Sequence, residues 1–244
     1  MVNRVNPEEK GNGMPAKSVL VIEDDPTTRD VLRRYLTRAS LEVIEADNGA
    51  SGLDVFAHGS PDLVILDLML PGIDGLDVCE RIRRTSAVPI MILTALGSES
   101  DRVVGLEQGA DDSVVKPFSP REVTLRAQRL LQRSVPRSAQ AATLVDGDLT
   151  IDLSARRATV SGRELVVTAR EFDLLAFLVA HPNQAFRRSE LLAQVWDWDF
   201  GDDSTVTVHV RRLREKVERN PANPVRLQTV WGVGYRYQPS GEPS

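Results

Sequence analysis

In the first half of the chain, short aliphatic runs alternate with longer stretches whose apolar residues recur every three or four positions. The runs are Val19–Ile22, Leu41–Ile44, Leu63–Leu66, Ile90–Leu93 and Val114–Val115. The amphipathic stretches are Thr27–Thr37, Gly49–Ala57, Gly75–Arg84, Arg102–Gln108 and Pro120–Gln132. Unbroken aliphatic strands fit a parallel sheet buried on both faces, and the alternation predicts five βα units, an α/β flavodoxin-like domain. Ligands of such sheets sit at the carboxyl ends of the strands.

The pattern changes after Arg133. The segment Arg133–Thr143 is small and polar, is broken by Pro136, and reads as a linker. Strand-like runs follow at Leu149–Leu153, Ala158–Val160 and Leu165–Val167. Thr168 with Glu171 three residues on has capping-box spacing, ahead of an apolar run over Phe172–Val179. Further helices are predicted over Arg188–Val195 and Ser204–Glu218, and Leu227–Tyr237 holds Gly232 and Gly234 in a hairpin pattern. This second unit reads as a smaller α+β domain. The expected division is a disordered tail over 1–16, domains over 17–133 and 144–238, a linker over 134–143 and a tail over 239–244. Met14, just before the first strand, is a candidate alternative start.

Composition adds limits. An apolar fraction of 41% is ordinary for globular domains, and no apolar run approaches the roughly 20 residues of a membrane span. A lone cysteine, Cys79, excludes an intramolecular disulfide and favours a reducing cytoplasm. Residues 1–133 hold 16 Lys and Arg against 21 Asp and Glu, and residues 134–244 hold 14 of each. A nucleic-acid contact in the second half therefore needs clustered cations, which Arg211, Arg212, Arg214, Lys216 and Arg219 supply.

The strand ends carry the chemistry. Glu23, Asp24 and Asp25 end the first predicted strand, Asp67 the third, Thr94 the fourth and Lys116-Pro117 the fifth. The topology gathers these ends. Converging carboxylates repel one another, and a hard divalent cation relieves that cost. A carboxylate beside such an ion can attack a phosphoryl group to form an acyl phosphate, with lysine and threonine binding the phosphoryl oxygens. One acid alone at a strand end is ordinary turn chemistry; the joint pattern over four strands is what points to a site.

The stretches VLVIEDD, LVILDLMLPGIDGLDV, PIMILTA and GADDSVVKPF resemble the receiver domain of response regulators over about residues 17–133. The resemblance implies that Asp67 is the phosphoacceptor and that Thr94 and Lys116 sense the phosphoryl group. It implies Mg²⁺, or Mn²⁺, held by Glu23, Asp24, Asp67 and the Met69 carbonyl. It also implies a cis bond before Pro117. Receivers of this type usually carry an aromatic residue three positions before the lysine, where this chain has Ser113. A serine cannot fill the cavity that such a ring enters, so the link from Asp67 to the dimer face is expected to be weaker or to use another residue.

In the last predicted helix, Val206, Val210, Leu213 and Val217 form one core-facing stripe. The opposite side carries Ser204, Val208, Arg211, Arg212 and Glu215, with Thr205 on its flank, and is expected to be exposed. Arginine can grip guanine and valine can touch a thymine methyl in the major groove, although a solvated helix with Glu215 paired to Arg211 or Arg219 is the plainer alternative. The stretches LVVTAREFDLLAFLVAHPNQAFRRSELLAQVW, STVTVHVRRLREKVE and LQTVWGVGYRY resemble the winged-helix output domain of the OmpR/PhoB family. That implies DNA contacts from Thr205, Thr207, Val208, Arg211, Arg212, Arg214 and Arg236, with His209 as a phosphate contact or a partly buried structural residue. Where many relatives place a wing arginine in the minor groove, this chain has Trp231.

The resemblance further implies a homodimer through the face of the receiver's fourth helix, fifth strand and fifth helix. Its matching positions are Arg102, Glu107, Asp111, Asp112, Glu122, Arg126 and Arg133, with Arg102–Glu122 and Asp112–Arg126 pairing across the axis. Gln128 stands where Glu107 would meet a base. The function expected is a non-enzymatic transcription regulator that takes a phosphoryl group from a sensor histidine kinase, dimerises and binds double-stranded DNA. The Trp196–Asp203 turn would face RNA polymerase. Met69 argues against a haloacid-dehalogenase-like phosphatase, which carries an acid two residues after its nucleophile. A phosphorylation-independent DNA binder remains the third alternative because of Ser113.

Overall fold

The computed structural model describes residues 16–94, 105–131, 143–197 and 203–241. Its first unit is a parallel sheet of β1 (Ser18–Ile22), β2 (Glu42–Ala46), β3 (Leu63–Asp67), β4 (Ile90–Thr94) and β5 (Asp112–Val115). The strand order is β2-β1-β3-β4-β5, every pairing parallel. Helices α1 (Pro26–Arg38), α2 (Gly49–Gly59), α3 (Gly75–Arg83) and α5 (Pro120–Leu131) cover it, and residues 105–107 are helical and form the described part of α4. Alternating strand residues feed opposite cores: Leu20, Ile22, Val64 and Leu66 on one face, Val19, Val21, Leu63 and Ile65 on the other. This is the flavodoxin-like arrangement expected.

The second unit has an antiparallel sheet of β6 (Thr143–Asp146), β7 (Leu149–Asp152), β8 (Arg157–Val160) and β9 (Arg163–Glu164). Three helices follow. They are α6 (Ala169–Ala180), α7 (Arg188–Leu191), which continues as a π-helical turn over Leu192–Trp196, and α8 (Ser204–Val217). A second sheet has the order β10 (Ala185–Arg187), β12 (Gly234–Tyr237) and β11 (Leu227–Val230). The Thr168 capping box that starts α6 is present, and Val206, Val210, Leu213 and Val217 face the core. The combination is a winged helix.

Two expectations differ. Leu165–Val167 is not a strand: β9 ends at Glu164, and one bond from Leu165 N to the Ala158 carbonyl is all that continues the ladder before the chain turns into the α6 cap. β6 and β10 were not expected, since each is short and is specified by distant partners. Among the described residues, no helix is long and apolar enough to cross a membrane.

Candidate functional site

Parallel topology brings the carboxyl ends of β1, β3, β4 and β5 together. Glu23 and Asp67 are buried there and Asp24 is exposed. One carboxylate oxygen from each lies within 4.8 Å of the others. Lys116 Nζ reaches Asp67 Oδ2 at 2.7 Å and Glu23 Oε2 at 2.8 Å. The Lys116-Pro117 bond is cis, and Lys116 N donates to the Thr94 carbonyl at 2.7 Å. The Thr94 side chain is buried at the end of β4. Met69 N donates to Asp67 Oδ1 at 3.1 Å, which fixes the loop that carries the Met69 carbonyl. Asp25 serves the fold instead: its carboxylate caps α1, accepting from Thr27 N and Thr28 N.

The electrostatics suit a cation and an incoming phosphoryl group. Burial, with the nearby Asp67 charge adding to it, pushes the Glu23 carboxyl up to about 6. Burial opposes the charge on Lys116, yet hydrogen bonds to Asp67 and Glu23 hold its ammonium above the usual lysine range. A fully buried Glu23 leaning on a single ammonium is a site that a divalent ion would relieve, so Glu23, Asp24 and Asp67 fit one.

The output helix is placed against expectation. The half of its polar side meant to be exposed is covered by the receiver. Val208, 4% exposed, packs in the receiver core cluster with Leu106 and Ala110. Arg212 Nη1 donates to the Ala110 carbonyl at 3.1 Å, and Nη2 pairs with Glu171 at 2.8 Å. Arg211 pairs with Glu107 of α4. Trp196 Nε1 donates to the Asp111 carbonyl at 3.5 Å, and Arg170 Nη2 donates to the Arg129 carbonyl at 2.7 Å. Helical periodicity identifies which side of α8 is polar, but not that another domain lies on it.

The other expected DNA residues divide in two. Thr205 and His209 are buried, as is Ser204, which was expected on the exposed side of the helix. His209 takes the structural alternative: it donates Nδ1–H to the Thr205 carbonyl at 2.8 Å and stacks edge-on to Trp196. Burial, helped by the Arg212 charge, pushes its imidazole down to about 4, so it offers phosphate no cation. Thr207 stays exposed beside the wing and accepts from Arg188 Nε at 3.2 Å. Arg214 grips the Leu227 carbonyl and Thr229 Oγ1 of β11, and Arg236 Nη2 donates to Gln228 at 2.7 Å. Trp231, at the wing tip, is 90% exposed.

Among the described residues, the expected dimer residues Glu107, Asp111, Asp112, Glu122 and Arg126 are occupied within the chain. Arg126 pairs with Asp112 at 3.0 Å and with Glu122 at 2.8 Å, so Asp112–Arg126, expected across an axis, closes within one chain. Asp111 pairs with Arg83 and accepts from Ile90 N at 3.0 Å. Despite burial, Arg83 and Arg212 hold the Asp111 carboxyl below the usual range. Arg102, Arg133 and residues 198–202 of the proposed polymerase turn lie outside the described residues, as does most of the linker. Sequence reasoning missed Glu171, whose carboxylate serves the cap, Arg212 and Lys216 together; the capping-box spacing was the only signal it gave.

Comparison with known proteins supports the same assignment. Residues 19–128 match the response regulator receiver domain, and residues 162–237 match the C-terminal domain of transcriptional regulatory proteins. The chain is 44% identical to the transcriptional regulatory protein ResD of Bacillus subtilis, over 92% of this chain and 97% of ResD. It is 46% identical to AfsQ1 of Streptomyces coelicolor, over 91% of this chain and 98% of that protein. Among solved structures, DrrB, a Thermotoga maritima OmpR/PhoB homologue, is 28% identical with a TM-score of 0.50 over 91% of this chain and 99% of DrrB. A RitR mutant shares the fold, with a TM-score of 0.73 at 23% identity over 92% of this chain and all of that one. A receiver joined to a winged-helix DNA-binding domain defines a response regulator of transcription. Within that class, the chain belongs to the OmpR/PhoB family.

Proposed function

We propose that this regulator takes a phosphoryl group on Asp67 from a sensor histidine kinase in the cytoplasm, and that the phosphorylated form dimerises and binds specific DNA sites to control transcription. The observation that carries this reading is the convergence of Glu23, Asp67 and Lys116 at one set of strand ends. In the transfer, an Asp67 carboxylate oxygen bonds to phosphorus while the bond from phosphorus to the kinase imidazole breaks, and that nitrogen leaves with the electron pair. Lys116 exchanges its contact with Asp67 for a phosphoryl oxygen, and the Thr94 hydroxyl donates to another. A Mg²⁺ or Mn²⁺ ion held by Glu23, Asp24, Asp67 and the Met69 carbonyl would offset charge on the transferred oxygens.

Thr207, Val208, Arg211, Arg212 and Arg214 are the proposed DNA contacts of α8, with Arg236 from the wing. Arg212 is the principal candidate for base readout. The turn between Trp196 and Asp203 is the proposed surface for RNA polymerase. The dimer would form through α4, β5 and α5, placing two output domains on adjacent half-sites about one DNA turn apart. Site selection from random duplexes, with wild type and Asp67→Asn and with and without acetyl phosphate, tests the whole reading. One sequence enriched with wild type and phosphodonor, and not with Asp67→Asn, is expected. Equal enrichment by both proteins would favour the phosphorylation-independent alternative.

A further inference from the structure

We propose that the output domain holds a binding site for a small neutral aromatic amide or lactam, in the cavity between α6, the turn that joins β7 to β8 and the π-helical turn Leu192–Trp196. The cavity measures about 360 Å³, a volume that suits a compact ligand. Among the described residues, none from the receiver or from α8 lines it, so it is separate from the strand-end site and from the helix assigned to DNA. Its walls supply two kinds of recognition. Phe172, Phe177 and Val195 make it mainly apolar, and the Phe177 and His181 rings lie 4.5 Å apart at an interplanar angle of 36°. A flat ring can stack on them. The polar wall is a nearly buried ion pair. Arg156 Nη2 reaches Asp173 Oδ1 at 2.7 Å, with the Asp173 side chain 9% exposed, and the guanidinium lies over Phe172 at 4.7 Å from the ring centroid.

This pair presents a donor and an acceptor side by side. An amide carbonyl accepts from Arg156 while its N–H donates to Asp173. A ligand carboxylate would meet Asp173 and an ammonium would meet Arg156, so a neutral group fits best. Burial pushes the Asp173 carboxyl up against the pull of Arg156 and Arg170, which leaves it an acceptor short of solvent. The fold holds these walls against local preference. Arg156 stands at φ +51°, in the left-handed region that favours glycine. Gln194 and Val195 line the cavity from a π-helical turn, a form that recurs at functional sites. A buried ion pair is not needed for stability, since well-packed apolar residues often serve as well. Three locally unfavourable features therefore border one cavity.

Benzamide, benzoate and benzylamine, matched in size and different in charge, test the site in the full chain by amide NMR titration. Benzamide is expected to give saturable shifts grouped at residues 153–156, 172–181 and 194–195. Benzoate and benzylamine should each bind about tenfold more weakly, the contribution of one hydrogen bond to a charged group. Arg156→Gly accepts the same backbone angle and removes the donor, and should weaken benzamide about tenfold for the same reason. Ala176→Leu narrows the cavity while leaving the ion pair, and should also weaken benzamide; melting curves check that both variants fold. Equal binding of the three compounds, shifts scattered over both domains, or no saturable shift up to the solubility limit of benzamide would each overturn the proposal. Unaltered benzamide binding by either folded variant would do the same. If Arg156→Gly does not fold, Ala176→Leu and the charge series decide.

Discussion

Lys116 Nζ lies 2.7 Å from Asp67 Oδ2, although the two residues are 49 positions apart in the chain. The same ammonium holds the fully buried Glu23. Removing it leaves two acids facing each other without a cation. Lys116→Ala is expected to lower stability by on the order of 2 kcal/mol in metal-free buffer, below the full cost of breaking a buried pair because Lys116 is 24% exposed. Urea unfolding with EDTA and with Mg²⁺ checks this. Magnesium should recover more stability in the variant than in wild type; equal recovery in both would count against a shared metal site.

His209 gives a pH dependence with a definite sign. Its folded pKa, about 4, lies below the ordinary imidazole value of 6.5, so the unfolded chain binds more protons between these limits. Its contribution is whole above pH 6.5 and is lost as pH falls toward 4. Asp111, Glu171 and Arg212 face it, and Asp112, raised by burial to about 6, contributes with the opposite sign in the receiver. Melting temperature against pH for wild type and His209→Gln isolates the imidazole. The variant is expected to lose less stability than wild type between pH 6.5 and 4; parallel curves would mean that His209 is solvated.

Trp231 is 90% exposed on the wing tip, where a two-ring side chain gains nothing from the fold. Trp231→Arg should leave the melting temperature unchanged. It should also shift selected sites toward A-tracts, whose narrow minor groove attracts a cation. Identical selected sequences would show that the wing does not take part in readout.

Ser113 sits on β5 opposite Ile92 of β4, three residues before Lys116. Ser113→Tyr restores the ring that most receivers of this type carry, and is expected to steepen phosphorylation-dependent dimerisation in sedimentation velocity. Superimposable dimerisation of the two proteins would remove Ser113 from the switch.

The receiver was legible because strand ends are fixed by topology: once five βα units are read, Glu23, Asp67, Thr94 and Lys116 have nowhere else to meet. The core stripe of α8 was legible for a similar reason, since Val206, Val210, Leu213 and Val217 repeat at the helical period. What escaped was non-local. β10 is three residues long and is set by its register with Tyr235, which no local pattern announces. The burial of Val208 and Arg212 depends on the docking of two domains, and a helix read alone presents those residues as solvent-facing. Gln128 was the one local sign, a missing partner for Glu107.

The account depends most on where the phosphoryl group resides. Borohydride trapping after acetyl phosphate treatment, followed by peptide mass spectrometry, locates an acyl phosphate directly. The label is expected on the peptide containing Asp67, absent from Asp67→Asn and dependent on Mg²⁺. A label on any other residue, or an undiminished label in Asp67→Asn, would contradict the account.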